Sequence, residues 1–305
     1  MTDSQSSPTV LISGANGYFG GIACQFFRDQ SWTVLTATRR PDADVPFDLN
    51  QPDQFAAQTL EQPVDLFIHA AAAHEVTCRN QPYQSIFQNV AGTRAALDFC
   101  VANHISRFVY LSTFHVFGHP TGHIDESTTP LPANDYGLSH LQSEDYLRLY
   151  RREQSLQTLV LRPSNFFGVP ADVKSCNRWT LTPLGFCQSA VEEKQIVLRT
   201  PGYQRRNFIA VPDICGAIAA AYPQMDTLDL LHLPGPETLS IRGLAQLVQR
   251  VMKERFDIAI DVVLPDGEPI KDTFTYTSQR LAAVYQPQLT LENFVFELCQ
   301  RLLSA

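Results

Sequence analysis

The sequence has no apolar run near the ~18–20 residues needed to cross a bilayer. Its first residues, Met1-Thr2-Asp3-Ser4-Gln5-Ser6-Ser7, lack the basic and apolar regions of a secretion signal and read as a disordered polar tail over 1–7. There is no Cys-x-x-Cys pair: seven cysteines are scattered at 24, 78, 100, 176, 187, 215 and 299, a pattern that points to reduced thiols and a cytoplasmic setting. Excess positive charge is also missing. The net charge of −8 argues against nucleic acid or an anionic membrane as a partner, yet leaves room for an anionic small ligand, which feels only its own pocket. What the chain does have is length and apolar content. Its 305 residues, 44% hydrophobic, suffice for one large α/β domain or for such a domain with a smaller lobe.

Apolar runs suited to buried strands alternate with segments of helical period, which predicts βαβ units around a parallel sheet. Strands are expected at 9–13, 33–38, 65–70, 108–112 and 157–161, and helices at 18–29, 83–103 and about 135–153. Beyond Arg162-Pro163 the alternation gives way to prolines and loops. The reading is therefore a Rossmann-type, doubly wound parallel sheet over 1–162 and a mainly substrate-binding lobe over 163–305. Segments near 206–235 are expected to return to the first domain.

Gly14-Ala15-Asn16-Gly17-Tyr18-Phe19-Gly20 lies between the first strand and the first helix. Glycines there let the backbone turn tightly and approach a pyrophosphate, which a helix N-terminus then stabilises. Glycine spacing alone would fit an ordinary turn; its placement directly after a strand favours a dinucleotide. The second strand ends in Thr38-Arg39-Arg40, without the carboxylate that would hold a ribose 2′-hydroxyl. Two guanidiniums suit a 2′-phosphate instead, so NADP(H) is expected over NAD(H). His115, His119 and His123 have the four-residue spacing of metal ligands on a helix. Gly118, Pro120 and Gly122 interrupt them, so a loop is expected and no metal.

With these residues in hand the chain resembles the extended short-chain dehydrogenase/reductases, in particular their sugar-nucleotide epimerase/dehydratase branch, along nearly its whole length. Asp48-Leu49 matches the acidic position near the adenine, and His69-Ala70-Ala71-Ala72 the fourth-strand segment lining the cofactor. Asn89-Val90-Ala91-Gly92-Thr93 matches Asn-Val-x-Gly-Thr, and Leu111-Ser112-Thr113-Phe114-His115-Val116-Phe117-Gly118 resembles the strand bearing the catalytic Ser/Thr. Leu161-Arg162-Pro163-Ser164-Asn165-Phe166-Phe167-Gly168 resembles the segment that enters the substrate lobe, and Arg206 falls in the block whose arginine contacts a nucleotide diphosphate, with Arg205 beside it. The resemblance implies cofactor contacts from Gly14, Asn16, Gly17, Tyr18, Phe19, Gly20, Arg39, Arg40, Asp48, Leu49, Ala70, Ala71, Ala72, Asn89, Tyr136, His140 and Pro163. It implies substrate contacts from His74, His115, Asn165 and Arg206, and a homodimer built from the helices near 83–103 and 135–153.

Tyr136-Gly137-Leu138-Ser139-His140 stands where that family carries Tyr-x-x-x-Lys. Thr113, Tyr136 and His140 are thus the expected catalytic set, with Tyr136 as general acid or base. A free tyrosine titrates near ~10 and is a poor base at neutral pH unless a cation favours its phenolate. Histidine, with a reference pKa of about 6.5, is mostly neutral there and pulls less strongly than lysine. Reduction needs Tyr136 only as an acid and so suffers less than oxidation. Sugar-nucleotide 4,6-dehydratases follow the threonine with Asp-Glu; Phe114 and His115 supply no carboxylates, which disfavours that reaction. The expectation is an NADP(H)-dependent enzyme reducing, or epimerising through, a keto group of a nucleoside-diphosphate sugar. A catalytically silent NADP(H)-binding sensor or scaffold, and a reductase of a non-sugar ketone or aldehyde, stay open as alternatives.

Overall fold

Successive side chains of a strand point to opposite faces of its sheet, and the buried strands of this chain divide accordingly. Val10, Ile12, Leu66, Ile68, Val109, Leu159 and Leu161 join one apolar cluster. Leu11, Phe67, Phe108, Tyr110 and Val160, the intervening residues, join another on the opposite face. Both faces are covered, as a parallel sheet requires. A computed structural model describes residues 7–174, 176–268 and 274–304; the tail expected at 1–7 lies, up to Ser6, outside the described residues.

Seven parallel strands form the main sheet, in the order Leu230–Leu233, Gln157–Pro163, Arg107–Leu111, Leu66–His69, Thr9–Ser13, Thr33–Thr38, Val45–Pro46. The order reverses beside Thr9–Ser13, which opens a crevice at the carboxyl ends of that strand and of Leu66–His69. Helices Tyr18–Asp29 and Val211–Ala221 pack on one face through Phe19, Ile22, Phe27, Ile214 and Ile218. Helices Gly92–Ala102 and Asp135–Glu153 cover the other through Leu97, Phe99, Leu147 and Tyr150. Full burial of each such side chain contributes roughly 1.5–3 kcal/mol.

After Pro163 the chain builds a second apolar centre, where helices Thr182–Glu192, Ile241–Phe256 and Leu291–Ser304 enclose Leu184, Val248, Met252, Val295 and Leu298. A three-stranded sheet of Glu237–Ser240, Arg205–Ala210 and Asn165–Phe167 supports it. From this region Val211–Ala221 and Leu230–Leu233 pass back onto the main sheet.

Two features depart from the sequence expectation. The helix expected without interruption over 83–103 is helix Pro82–Ile86, a π-helical turn Phe87–Ala91, and helix Gly92–Ala102. Within that turn the Asn89 carbonyl accepts from the Thr93 hydroxyl at 2.6 Å and from the Ser143 hydroxyl at 3.2 Å. The edge strand Val45–Pro46 was not anticipated, because two residues, one of them proline, carry no periodicity.

Candidate active site

Gly14 turns the chain out of the first strand with φ +70°, a left-handed conformation that favours glycine. A Cβ there would lie 3.0 Å from the Ala71 amide nitrogen, and one on Gly20 only 2.1 Å from the Gly14 carbonyl oxygen. Helix Tyr18–Asp29 therefore starts close against the loop, and no side chain caps it. The N–H groups of its first turn point into the crevice end of the sheet, the arrangement that binds a phosphate. Asn16 Nδ2 donates to Thr38 Oγ1 at 3.1 Å, fixing the loop to the end of the second strand. Ser13 Oγ accepts from the Ala70 and Ala71 N–H groups at 3.1 and 3.2 Å, so the two strand ends that flank the crevice are joined. Cradle and helix end together fit a dinucleotide pyrophosphate. The Tyr18 hydroxyl faces away from it, donating to the Gly168 carbonyl at 2.7 Å while its ring stacks on Phe166. Phe19 is buried in the core, so what Tyr18 and Phe19 can offer a phosphate is their backbone.

Arg39 and Arg40 are both exposed, and neither makes an ion pair among the described residues. They line different hollows: Arg40 an open cleft of about 180 Å³ with Asn16, Gly17 and Tyr18, Arg39 another with Phe47 and Asp48. Asp48 is half-buried and turns the backbone by accepting from Asn50 N–H at 3.0 Å; Leu49 packs against Gly92. Ala70 and Ala71 are half-buried and Ala72 exposed along the crevice. Asn89 has a supporting place: it is buried, accepts from Ala73 N–H at 2.7 Å and donates to Ser139 Oγ at 3.0 Å. Pro163 is buried at the end of its strand.

The residues expected to form the acid/base set come from two elements. Asn134 caps helix Asp135–Glu153, its Oδ1 accepting from Gly137 N–H at 2.9 Å. Four-residue spacing then puts Tyr136, His140 and Glu144 in one column on that helix. Thr113, at the end of strand Arg107–Leu111, faces Tyr136, and its hydroxyl favours the phenolate. Burial acts in the other direction and prevails, raising the Tyr136 phenol to about 12. The foot of the column is Glu144, fully buried, which accepts from Arg162 Nε at 3.0 Å and Nη2 at 2.5 Å and from Ser112 Oγ at 2.6 Å.

His140 is 2% exposed, and burial lowers its pKa to about 3, with His115 adding to the effect, so it is neutral at physiological pH. Its Nδ1 lies 2.7 Å from the Tyr110 hydroxyl, while Nε2 is buried without a partner. The ring meets Tyr136 edge to face with centroids 4.6 Å apart. The first lysine of the sequence is Lys174, so the first 173 residues hold no ammonium to take over that role.

His115 also reaches the site, its ring 5.8 Å from that of Tyr136, and burial lowers its pKa. The carboxylate of Glu75 opposes that shift and the charge of half-buried Arg206 adds to it; Arg206 Nη1 donates to the Arg205 carbonyl at 2.8 Å. His74 is exposed and caps helix Glu75–Asn80. Asn165 Nδ2 donates to the Asn207 carbonyl at 3.1 Å, bridging two strands of the small sheet. His115 sits in the 3₁₀ turn Phe114–Phe117 and His123 in the strand His123–Ile124, and no metal-holding group of three His, Cys, Asp or Glu occurs among the described residues.

Sequence reasoning missed Arg178. Its positive charge lowers the pKa of Tyr136, of His74 and of Tyr18. The cation felt by the phenol thus comes from the far lobe. No motif marks Arg178, and only the path of the chain after Gly168 brings it near.

The sequence model described as "NAD dependent epimerase/dehydratase family" matches residues 10–230. An uncharacterized UDP-glucose epimerase of Bacillus subtilis is 21% identical over 93% of this chain and 94% of its own length. A UDP-glucose 4-epimerase of Azospirillum brasilense is 29% identical over 55% of this chain and 52% of its own length. Several curated relatives are matched over only part of their length, between 41% and 55%. Among solved structures, RMD from Pseudomonas aeruginosa in complex with NADPH superposes with a TM-score of 0.82 at 18% identity, covering 98% of this chain and 99% of that one. A likeness at that identity speaks for the fold. The family match runs from the first strand through the glycine cradle and the Tyr136 column to the strand Leu230–Leu233, and by it the chain belongs to the NAD dependent epimerase/dehydratase family.

Proposed function

We propose that the protein is an NADP(H)-dependent reductase, or an epimerase working through a keto intermediate, acting on a nucleoside-diphosphate sugar. The observation that carries this reading is the Tyr136–Thr113 pair beside a neutral His140. When bound, the cofactor supplies a hydride to the carbonyl carbon. Tyr136 gives its phenolic proton to the carbonyl oxygen as that oxygen becomes an alkoxide, and Thr113 holds the same oxygen. With a pKa of about 12, Tyr136 is protonated at neutral pH and ready to act as an acid. As a base it is poor, since only about one molecule in 10⁵ carries the phenolate at pH 7. Reduction is therefore favoured over alcohol oxidation.

Arg39 and Arg40 support NADP(H) over NAD(H): exposed guanidiniums follow the second strand and no carboxylate stands there. Arg206, close enough to His115 to depress its pKa, supports a diphosphate-bearing substrate held by the lobe over 163–305. Tyr83, 90% exposed, and Phe87, 47% exposed, support a homodimer through the helices that carry Asn89 and Tyr136. The seven free thiols support a cytoplasmic setting, and no helix among the described residues is long and apolar enough to cross a membrane.

The test is Tyr136→Phe assayed with NADPH over a panel of keto-sugar nucleotides and simple ketones. Loss of turnover with cofactor binding retained is expected; full activity would overturn the role given to Tyr136. The neutral His140 also favours a second reading, a silent NADP(H)-binding protein. Tight NADPH binding with no turnover of any ketone would establish that one instead.

A further inference from the structure

The open cleft lined by Arg40 has walls from both lobes, and close packing sets them face to face. Gly168 lies against the first helix, where a Cβ would stand 2.9 Å from the Ile22 side chain, and its carbonyl accepts from the Tyr18 hydroxyl at 2.7 Å. The chain therefore leaves strand Asn165–Phe167 along the start of helix Tyr18–Asp29. Arg301 Nη1, from the last helix, holds the Pro170 carbonyl at 3.2 Å. On the opposite side Thr38 Oγ1 accepts from Asn16 Nδ2 and from the Arg40 N–H, both at 3.1 Å, which ties Arg40 to the glycine loop. Asn16, Gly17 and Arg40 thus face Asp172, Cys176 and Asn177 across about 180 Å³. The donors suit an anion. Arg40 is exposed and makes no ion pair among the described residues. The Asn16 carboxamide is committed to Thr38, whereas that of Asn177 is exposed and makes no hydrogen bond among the described residues. Asp172 brings the one carboxylate of the lining; it is exposed, its Oδ1 accepts from the Lys174 N–H at 2.9 Å, and water screens its charge.

We propose that Asn177, from the second lobe, completes with Arg40 a site for the 2′-phosphate of NADP(H), so that the choice between NADP(H) and NAD(H) is made by both lobes together. The inference rests on the cofactor reading above. A phosphate has three acceptor oxygens and can take hydrogens from both walls at once. A ribose 2′-hydroxyl, a single uncharged oxygen, gives the guanidinium far less to hold. Arg40 follows directly from the strand that ends beside the glycine loop; Asn177 reaches the same cleft only because the chain is pressed against the first helix at Gly168. The wall also carries its own reporter. Of the seven cysteines, Cys176 alone is half-buried, and the other six are buried.

The experiment follows alkylation of Cys176 by iodoacetamide in the full chain, read by mass spectrometry. NADPH at ten times its dissociation constant should slow the labelling roughly tenfold, because the ligand-free fraction falls by that factor. NADH at the same excess over its own constant should leave the rate nearly unchanged. Asn177→Ala should weaken NADPH binding roughly tenfold, the loss of one hydrogen bond to a charged group, and leave NADH binding unaltered. Asp172→Asn should not weaken either nucleotide. NADPH that binds in a fluorescence titration while Cys176 is labelled at the ligand-free rate overturns the proposal and leaves the cofactor reading standing. Equal protection by NADH overturns it too, as does an unchanged NADPH affinity in Asn177→Ala or a weakened one in Asp172→Asn. A protein that binds no NADPH in the titration would instead defeat the cofactor reading itself, and the proposal with it.

Discussion

The column on helix Asp135–Glu153 and the arginines around it have opposite designs. Tyr136, His140 and Glu144 are enclosed and held by near neighbours: Thr113, Tyr110, and Arg162 with Ser112. Arg39, Arg40, Arg178 and Arg206 are exposed or half-buried, and none makes an ion pair among the described residues. Enclosed groups keep their geometry, and burial shifts the Tyr136 phenol up and the His140 imidazole down; guanidiniums nearer the surface have room to meet an anion. The difference separates reaction from recognition. In the function proposed above, the column would set what can be done to a carbonyl, and the arginines which anion brings the carbonyl there.

That division breaks most visibly at Tyr136. Tyr136→Phe should lower kcat by about 10²–10⁴-fold, in the range of a lost general acid, with NADPH affinity nearly unchanged in a fluorescence titration. At the foot of the column, Glu144→Ala leaves the Arg162 guanidinium buried without its partner and should cost about 3–5 kcal/mol of stability in urea unfolding. A cost below ~1 kcal/mol would mean that the pair is no structural anchor. On the arginine side, Arg39→Ala and Arg40→Ala should each weaken NADPH binding roughly tenfold and leave NADH binding unaltered, the loss expected for one charge-assisted contact. Equal effects on the two nucleotides would remove the argument for a 2′-phosphate site.

Acid should act on the enclosed side. Burial lowers both His69 and His140 from 6.5 to about 3 in the folded protein. The folded state then binds fewer protons than the unfolded chain between these values. Stability is complete above pH 6.5 and is lost as pH falls toward 3. Thermal unfolding followed from pH 8 to pH 4 should show Tm falling below 6.5, and His140→Gln should flatten that fall. An unchanged slope would mean that His140 is not kept neutral by burial.

The legibility of these two regions in the sequence also differed. The glycine cradle could be read because a left-handed backbone at Gly14 and a 2.1 Å approach at Gly20 tolerate little else. Tyr136 and His140 could be paired because four residues make about one helical turn. Contacts between distant elements left no such trace. Tyr110 meets His140 across 30 residues and Arg162 meets Glu144 across 18, each joining a strand to a helix, and neither follows from local pattern. Arg178 was hidden for a similar reason, since the charge it lends to Tyr136 depends on the route of the lobe. Asn89 was legible as a position and not as a role: its amide turned out to bind Ala73 and Ser139.

The π-helical turn at Phe87–Ala91 sets the phase of the helix on either side of it. Each residue advances an α-helix by about 100°, and a π turn inserts one residue beyond the regular count. The surface bearing Tyr83 is therefore out of step, by about that angle, with the face that buries Leu97 and Phe99. Deleting one residue between 87 and 91 would restore an unbroken helix. It would also rotate the Tyr83 surface relative to the core and draw Asn89 away from Ala73, so that a locally better helix would leave the crevice loop without its brace.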